Sequence, residues 1–299
     1  MQPIFKQKGS HSDSAFYRPI ALLPCVSKVF ESIVHEQLLA HCFKVDCIPD
    51  EQFGFLPKRS AVWQLLAFLS DWECALDNGY CVHACFLDMA KAFDRVDHAT
   101  LLRKLASVGV RGQALMWFTS YLTGRRICTT VDGVRSSLRP ISSGVPQGSV
   151  LGPLLFLLFY RDLPSVASSS CAMFADDTLM YDSSCSGSVT QPCCRLAPDL
   201  LILGRWATDW STSFNASKSS HMLVRRQHGV ISSPELVLDS TAIPAVPCAV
   251  HLGVHLSSLS WSAHVAALLQ RVRFKVYMLR RLAYRLGSAD VVKRLYRVW

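Results

Sequence analysis

Residues 171–181 read Cys-Ala-Met-Phe-Ala-Asp-Asp-Thr-Leu-Met-Tyr, and their reading decides the fold. Two short apolar runs, Cys171–Phe174 and Thr178–Tyr181, flank Ala175-Asp176-Asp177 and predict a β-hairpin with two adjacent carboxylates at its tip. Upstream, Tyr80–Leu87 is another apolar run, bounded by Gly79 and Asp88, and predicts a buried strand. An aspartate at the edge of such a strand is costly to desolvate unless it is paired or bound to metal. Two neighbouring aspartates in an apolar hairpin repel each other and make best sense around a divalent cation. Oxygen-only ligands with room for water and phosphate suit magnesium. A plain polar turn is the competing reading, since Asp is a common turn residue. For the Asp176-Asp177 pair taken alone, the turn is the stronger reading.

Outward from this core, Val26, Val29, Phe30, Ile33, Val34 and Leu38 recur at helical spacing and predict a helix over 26–42. Further helices are predicted over 61–76, 98–108, 113–122, 149–163 and 200–213, with Pro153 inside a first turn, where a missing N–H is tolerated. Residues 127–134 and 136–141 predict a hairpin about Asp132-Gly133, and short strands are expected between His221 and Gly253. Residues 1–16 and the Ser-, Cys- and Pro-rich stretch 183–198 read as loops, and 52–60 as a strand or a turn-rich loop. Strands and helices alternate irregularly, with hairpins, so the class is α+β rather than a doubly wound sheet. No internal repeat of 20–50 residues is present.

A chain of 299 residues with 50% hydrophobic and 18% charged content has ample material for a buried core and is not disordered or collagen-like. Mean hydropathy is +0.23, yet the most apolar stretch, Val150–Tyr160, is too short to span a bilayer. Twelve cysteines are scattered without a C-x-x-C pair, and Cys193-Cys194 lacks neighbouring ligands at zinc spacing. With no signal peptide in view, these thiols point to an intracellular protein of nucleus or cytoplasm and not a secreted one.

The net charge of +9 is unevenly placed. Arg271, Arg273, Lys275, Arg280, Arg281, Arg285, Lys293, Arg294 and Arg297 face a single acid, Asp290, between residues 270 and 299. That segment holds +8 of the total, on a helix whose apolar stripe runs through Val265, Leu268, Leu269, Val272, Val276, Leu279 and Ala283. A polyanion partner and a solvated helix face are equally good readings of the charge alone.

Three stretches taken together favour metal chemistry. Phe86-Leu87-Asp88-Met89-Ala90-Lys91-Ala92-Phe93-Asp94 resembles the first metal-binding motif of reverse transcriptases. Ser143-Gly144-Val145-Pro146-Gln147-Gly148-Ser149-Val150-Leu151-Gly152-Pro153 resembles their nucleotide-and-template motif, and Phe174-Ala175-Asp176-Asp177 their double-aspartate hairpin. Tyr17-Arg18-Pro19-Ile20, Gln52-Phe53-Gly54-Phe55, Asn215 with Lys218, and His251-Leu252-Gly253-Val254 follow the family's order. From about residue 3 to the end, the chain resembles the polymerase domain of a non-LTR, LINE-type retrotransposon of the jockey/CR kind.

The resemblance implies a right-hand polymerase with fingers over 1–82, a palm over 83–255 and the start of a thumb over 256–299. Residues 98–142 would supply the connecting helices and hairpin between fingers and palm. The implied reaction adds deoxynucleotides to the 3′-hydroxyl of a DNA primer on an RNA template. It would use two magnesium ions, or manganese, about 4 Å apart. Asp88, Asp176 and Asp177 would be the catalytic and metal-binding carboxylates, Asp177 less directly engaged than Asp176, and the Met89 carbonyl could complete a metal shell. Phe93 matches the aromatic gate that excludes a 2′-hydroxyl, although any one Phe can be core packing. Gln147 would bond the incoming nucleotide, with Gly148 permitting close backbone approach. Lys218 matches a lysine that protonates pyrophosphate or neutralises it.

Arg18, Lys58 and Arg59 would contact triphosphate or template. Leu56 stands where the family usually has a basic residue, so either Lys58 or Arg59 compensates or nucleotide affinity is impaired. Arg125 and Arg126 suit phosphate contact or ordinary surface charge. His251, Leu252 and Gly253 belong to the hairpin that would seat the primer terminus, and Arg273 and Arg280 to a thumb helix tracking primer–template phosphates. Neither an endonuclease domain nor a Cys/His knuckle accompanies these motifs, so a truncated copy is expected, with no membrane partner and no oligomeric state implied. The rival reading is an inactive nucleic-acid-binding remnant. An RNA-dependent RNA polymerase is a lesser alternative, which Phe93 argues against.

Overall fold

A computed structural model describes residues 1–7, 9–184, 192–226, 235–257, 260–286, 290 and 293–294. In chain order, β1 (Gln2–Phe5), β2 (Tyr17–Ile20), α1 (Cys25–Lys44) and α2 (Ala61–Asp77) lead to β3 (Cys81–Leu87), α3 (His98–Ser107) and α4 (Gly112–Leu122). Four two-residue strands follow: β4 (Arg126–Ile127), β5 (Thr130–Val131), β6 (Val134–Arg135) and β7 (Arg139–Pro140). Then come α5 (Leu151–Tyr160), α6 (Leu163–Val166), β8 (Ser170–Phe174), β9 (Asp177–Ser184), α7 (Pro192–Asp209) and β10 (Ser220–Val224). Two hairpins, β11 (Leu236–Leu238) with β12 (Thr241–Ile243) and β13 (Ala249–His251) with β14 (Val254–Leu256), precede α8 (Ser262–Leu286).

The centre is a four-stranded antiparallel sheet in the order β10-β3-β9-β8. Its strands alternate with period two between two apolar layers. Val82, Ala84 and Phe86 of β3, with Leu179 and Tyr181 of β9, pack with Phe68, Trp72 and Leu76 of α2. Cys85 and Leu87, with Met180, face the opposite layer of α5 and α7. Both faces are therefore covered, which is why β3 reads as a continuous apolar run rather than an alternating one. Helix α5 is the hub of the second layer. Leu151 and the run Leu154–Phe159 are 0–2% exposed all round it, as a fully enclosed helix requires.

Several local expectations are corrected. Residues 1–16 are not all loop, because β1 pairs antiparallel with β2, Gln2 opposite Ile20 and Phe5 opposite Tyr17. The partner lies too far along the chain for local pattern to reveal it. The expected loop 183–198 is shorter: β9 runs to Ser184, and α7 starts at Pro192 and tolerates Pro198 within it. Residues 185–191 of that stretch lie outside the described residues. Buried Leu196 and Asp199 explain the helix, since Asp199 accepts from the Ser168 and Ser169 backbone N–H groups at 3.0 and 2.7 Å. The helix expected over 149–163 divides into α5 and α6. The central hairpin turns at Asp132-Gly133, both with positive φ, but its ladder is broken into β5–β6 and β4–β7.

On α1 the apolar stripe is only half used. Val34 and Leu38 pack inward while Val26, Val29, Phe30 and Ile33 stay exposed. The buried group is Glu31, which accepts from the backbone N–H groups of Val150 and Leu151 at 2.8 and 3.3 Å and so caps the start of α5. The predicted stripe of α8 exists as a helical face, but Val265, Leu268, Leu269 and Val272 remain exposed on it. Among the described residues, no helix is long and apolar enough to cross a membrane.

Candidate active site

Antiparallel pairing brings the carboxylates together. The β3–β9 register ends with Leu87 opposite Thr178, so Asp88 leaves β3 where Asp177 enters β9, close enough to act on the charges of both Asp176 and Asp177. On the other side of β9, Phe174 pairs with Asp177 and closes a two-residue turn of Ala175 and Asp176. Asp88 is therefore delivered by one strand end, and Asp176-Asp177 by the adjoining hairpin, to the same edge of the sheet. Ala175 holds a left-handed φ of +58°, unusual for a residue with a side chain.

The electrostatics of that edge are unfavourable to three free carboxylates. Burial, and the nearby Asp88 charge, push the Asp176 carboxyl above its ordinary range, while a backbone hydrogen bond and Arg18 pull it partly back. Asp177 is pushed up to about 6 by loss of water, then by Asp176 and Asp88. Asp88 Oδ2 is buried without a hydrogen-bond partner, and Lys218 Nζ stands 3.6 Å from it as the nearest cation. A carboxylate oxygen with no hydrogen bond, met by a lysine at 3.6 Å and near two carboxyls held above their ordinary range, is a donor set that a divalent cation fits. Among the described residues, no three carboxylate, imidazole or thiol side chains are drawn into a cage able to hold an ion unaided. Magnesium does not need one, because it is commonly held by one or two carboxylates plus water and phosphate.

Backbone pairing fixes the neighbours of the triad. Ala90 N–H donates to Ser213 and Asn215 N–H to the Asp88 carbonyl, at 2.9 and 2.7 Å, so the Met89 carbonyl takes part in neither bond. Asp88 N–H is anchored by Ser219 Oγ at 3.1 Å. Phe93 follows a tight left-handed turn at Lys91 and stacks on Phe156 of α5, 4.3 Å between ring centroids at 10°. Phe55 meets Phe93 edge-on at 6.1 Å. Core packing and a floor for a sugar are thus compatible, since the ring is only half-buried.

The Gly144–Gly148 segment is zipped to the turn that holds Phe93. Gly144 N–H donates to Val96 at 2.7 Å and Val145 N–H to Phe93 at 2.9 Å. Gln147 Nε2 donates to Asp94 Oδ1 at 3.0 Å, while the Gln147 carbonyl accepts from Ala21 N–H at 2.7 Å. Gly148 has a φ of +108°, and a Cβ there would fall 2.9 Å from the Ala21 carbonyl. The close approach it permits in this structure is to the strand end beyond β2.

The remaining expected residues divide. Arg18 lies exposed on β2, close enough to Asp176 to act on its charge. Lys58 is exposed, whereas Arg59, also expected at the triphosphate, has protein partners in this structure. Its guanidinium donates to the carbonyls of Pro49, Asp50 and Gln52 at 2.9, 3.0 and 2.7 Å and to Asp50 Oδ1 at 2.8 Å. It braces the 49–52 loop instead of facing the carboxylates. Leu56 is 6% exposed and belongs to the core, so a leucine there serves packing. Arg125 lies over the Tyr121 ring at 5.1 Å and donates to its carbonyl, whereas Arg126 is exposed. Leu252 and Gly253, with φ of +48° and +79°, form the two-residue turn of the β13–β14 hairpin. Arg273 and Arg280 are exposed on α8, and Arg297 lies outside the described residues.

Residues missed by sequence reasoning are those that hold others: Gln52, Asp94, Glu31 and Ser219. Asp94 and Gln52 lie within the quoted motifs, and Glu31 was signalled by a charge inside an apolar stripe.

Residues 6–256 match the family model described as Reverse transcriptase (RNA-dependent DNA polymerase). The chain is 33% identical over 283 residues to a Drosophila melanogaster protein named "Probable RNA-directed DNA polymerase from transposon X-element", covering 91% of this chain and 30% of that protein. It is 32% identical over 282 residues to the RNA-directed DNA polymerase from mobile element jockey of the same organism, again covering 91% and 30%. The chain thus spans about a third of the length of these relatives. Among solved structures it is similar in fold to apo telomerase from Candida tropicalis, with a TM-score of 0.55 at 10% identity, covering 78% of this chain and 40% of that one.

Proposed function

The chain belongs to the reverse transcriptase family, and from that premise we propose that it is the polymerase portion of a non-LTR retrotransposon protein that copies RNA into DNA. The observation that carries this is the carboxylate edge, where Asp88 Oδ2 has no hydrogen-bond partner and Asp177 is pushed up to about 6 beside Asp176. On this reading the substrates are a DNA primer terminus, an RNA template and deoxynucleoside triphosphates. Residues 1–82 act as fingers, 83–255 as palm and 256–299 as the start of a thumb.

Asp88, Asp176 and Asp177, with the Met89 carbonyl, are the groups that would hold magnesium or manganese. When bound, two such ions supply Lewis-acid polarisation of the primer hydroxyl and neutralise charge on the leaving pyrophosphate. The chain's own residues do the rest. Phe93, stacked on Phe156, would serve as the flat ring that screens against a 2′-hydroxyl. Gln147, tied to Asp94, would present its loop to the nucleotide. Lys218, 3.6 Å from Asp88 and itself largely exposed, is free to swing toward departing phosphate. Arg18 adds positive charge at the same edge.

A second reading has an observation of its own. With Leu56 in the core and Arg59 turned to the 49–52 backbone, the fingers offer fewer cations to a triphosphate than the family pattern implies. That favours a nucleic-acid-binding chain with weak or absent extension. Primer extension on an RNA template, comparing the intact chain with Asp176→Ala, separates the two. Magnesium-dependent extension abolished by the substitution is expected. Extension that survives it would sink the carboxylate assignment, and binding without extension would favour the second reading.

A further inference from the structure

The turn that aims Asp176 is not self-supporting. Ala175 sits in the left-handed region at φ +58°, where a Cβ is disfavoured. What holds it is a side chain 123 positions earlier. Buried Gln52 accepts from Ala175 N–H through Oε1 at 2.8 Å and donates from Nε2 to the Ala175 carbonyl at 3.3 Å. The same Oε1 accepts from Gly54 N–H at 2.8 Å, which locks the amide's orientation.

The flanking backbone makes this a bracket and not a single contact. Phe53 N–H donates to the Met173 carbonyl and Met173 N–H to the Glu51 carbonyl, both at 2.8 Å, so residues 51–53 add a short parallel bridge to the outer edge of β8. A Cβ on Gly54 would fall 2.4 Å from Ala175 N and 3.1 Å from its Cα. Glycine is therefore the residue that lets the bracket close on the turn. The next residue, Phe55, meets Phe93 edge-on. One five-residue segment thus fixes both the aspartate turn and the ring proposed to screen the sugar.

We propose that Gln52 is a positioning residue for nucleotidyl transfer, holding the Ala175 backbone in the turn that aims Asp176, with Gly54 providing the required space. The proposal rests on the polymerase reading for its chemistry, and on the hydrogen bonds for its geometry. Misplacement of a reacting geometry by about 1 Å costs roughly a hundredfold in rate without weakening substrate binding comparably.

The test uses the full chain with Gln52→Met, which keeps the volume and removes all three bonds, beside Gln52→Ala and Gly54→Ala. Two measurements are made: single-nucleotide incorporation, and amide hydrogen exchange across 173–178. The Met variant should lower kcat by roughly tenfold to a hundredfold while KM for the nucleotide stays within about twofold, and Ala175 should exchange faster with β3 and β10 unchanged. Gly54→Ala should reproduce the pattern. Wild-type kcat in the Met variant, or exchange that rises equally through the whole sheet, overturns the proposal. An unaltered chain that extends no primer defeats the polymerase reading alone. The bracket is then judged by exchange: local loss of protection at Ala175 supports it, and unchanged protection refutes it.

Discussion

His251 gives the sharpest test of the folded state. It ends β13 at 4% exposure, its ring lies between Phe68 and Phe86 at centroid distances of 5.8 and 5.5 Å, and its Nε2 has no hydrogen-bond partner. Burial alone pushes its pKa down from 6.5 to about 4. Between those values the unfolded chain binds a proton that the folded chain refuses. Stability is therefore present in full above pH 6.5 and is lost as pH falls toward 4. At pH 5 the loss from this one residue is about 2 kcal/mol, against roughly 0.2 kcal/mol at pH 7. His251→Phe keeps an aromatic ring between two aromatic neighbours, removes the titration and removes the orphaned nitrogen. Urea unfolding followed by tryptophan fluorescence should show the variant within about 1 kcal/mol of the parent at pH 7 and about 2 kcal/mol ahead of it at pH 5. Buried His83, pushed down to about 4 by burial and by His221, leaves a residual acid slope in both proteins. An advantage equal at the two pH values would refute the reasoning.

Asp177→Asn should stabilise the metal-free protein at pH 8 while reducing extension, because the charged carboxyl is the strained form. Asp177 is exposed, so solvent screening reduces the gain to the order of 1 kcal/mol. That gain should shrink as pH falls through about 6 toward 3.8, where the native carboxyl becomes neutral; a thermal scan in chelator with no pH dependence would contradict this. Phe93→Ala should admit ribonucleotides in the extension assay, and unchanged sugar discrimination would remove the gate assignment. Replacing Arg273 and Arg280 together with Gln should lower the slope of log affinity for primer–template against log salt by about 2. A slope that stays the same would mean that this face of α8 is merely solvated.

The fold was legible where burial shows itself in local pattern. The apolar run Tyr80–Leu87 announced a strand because both its faces are covered, and Val150–Tyr160 announced an enclosed helix for the same reason. Legibility failed where a distant partner decides the local structure. Nothing within residues 2–5 specifies pairing with 17–20, and Pro198 locally discourages the helix that Asp199 and Leu196 secure by burial. On α1 the helical period was correct, but it does not distinguish Val26 and Phe30, which stay exposed, from Leu38, which does not. A period shows that a face exists; only packing shows which part of it is covered.

The candidate site divides along the same line. Asp88, Asp176 and Asp177 could be singled out because carboxylates are costly in an apolar setting and their motifs agree in order, whereas Phe93 and Gln147 were visible only through those motifs. Arg59 was singled out by its charge and its place after the Gln52–Phe55 motif; charge does not distinguish a phosphate from a ring of carbonyls, and here three backbone oxygens take its guanidinium. Gln52 opens a quoted motif, but as a neutral amide in a turn-rich stretch it carried no sign of what it does there. Its importance appears only when Ala175 is found at φ +58° with Gln52 bonded to both its N–H and its carbonyl. The carboxylates are therefore visible in the sequence through their desolvation cost, whereas the residues that hold the site depend on contacts from about 50 to more than 120 positions away. The prediction that follows is asymmetric: substitutions at the carboxylates should relieve strain and remove chemistry, while Gln52→Met should leave the carboxylates in place and slow the chemistry by disturbing their aim.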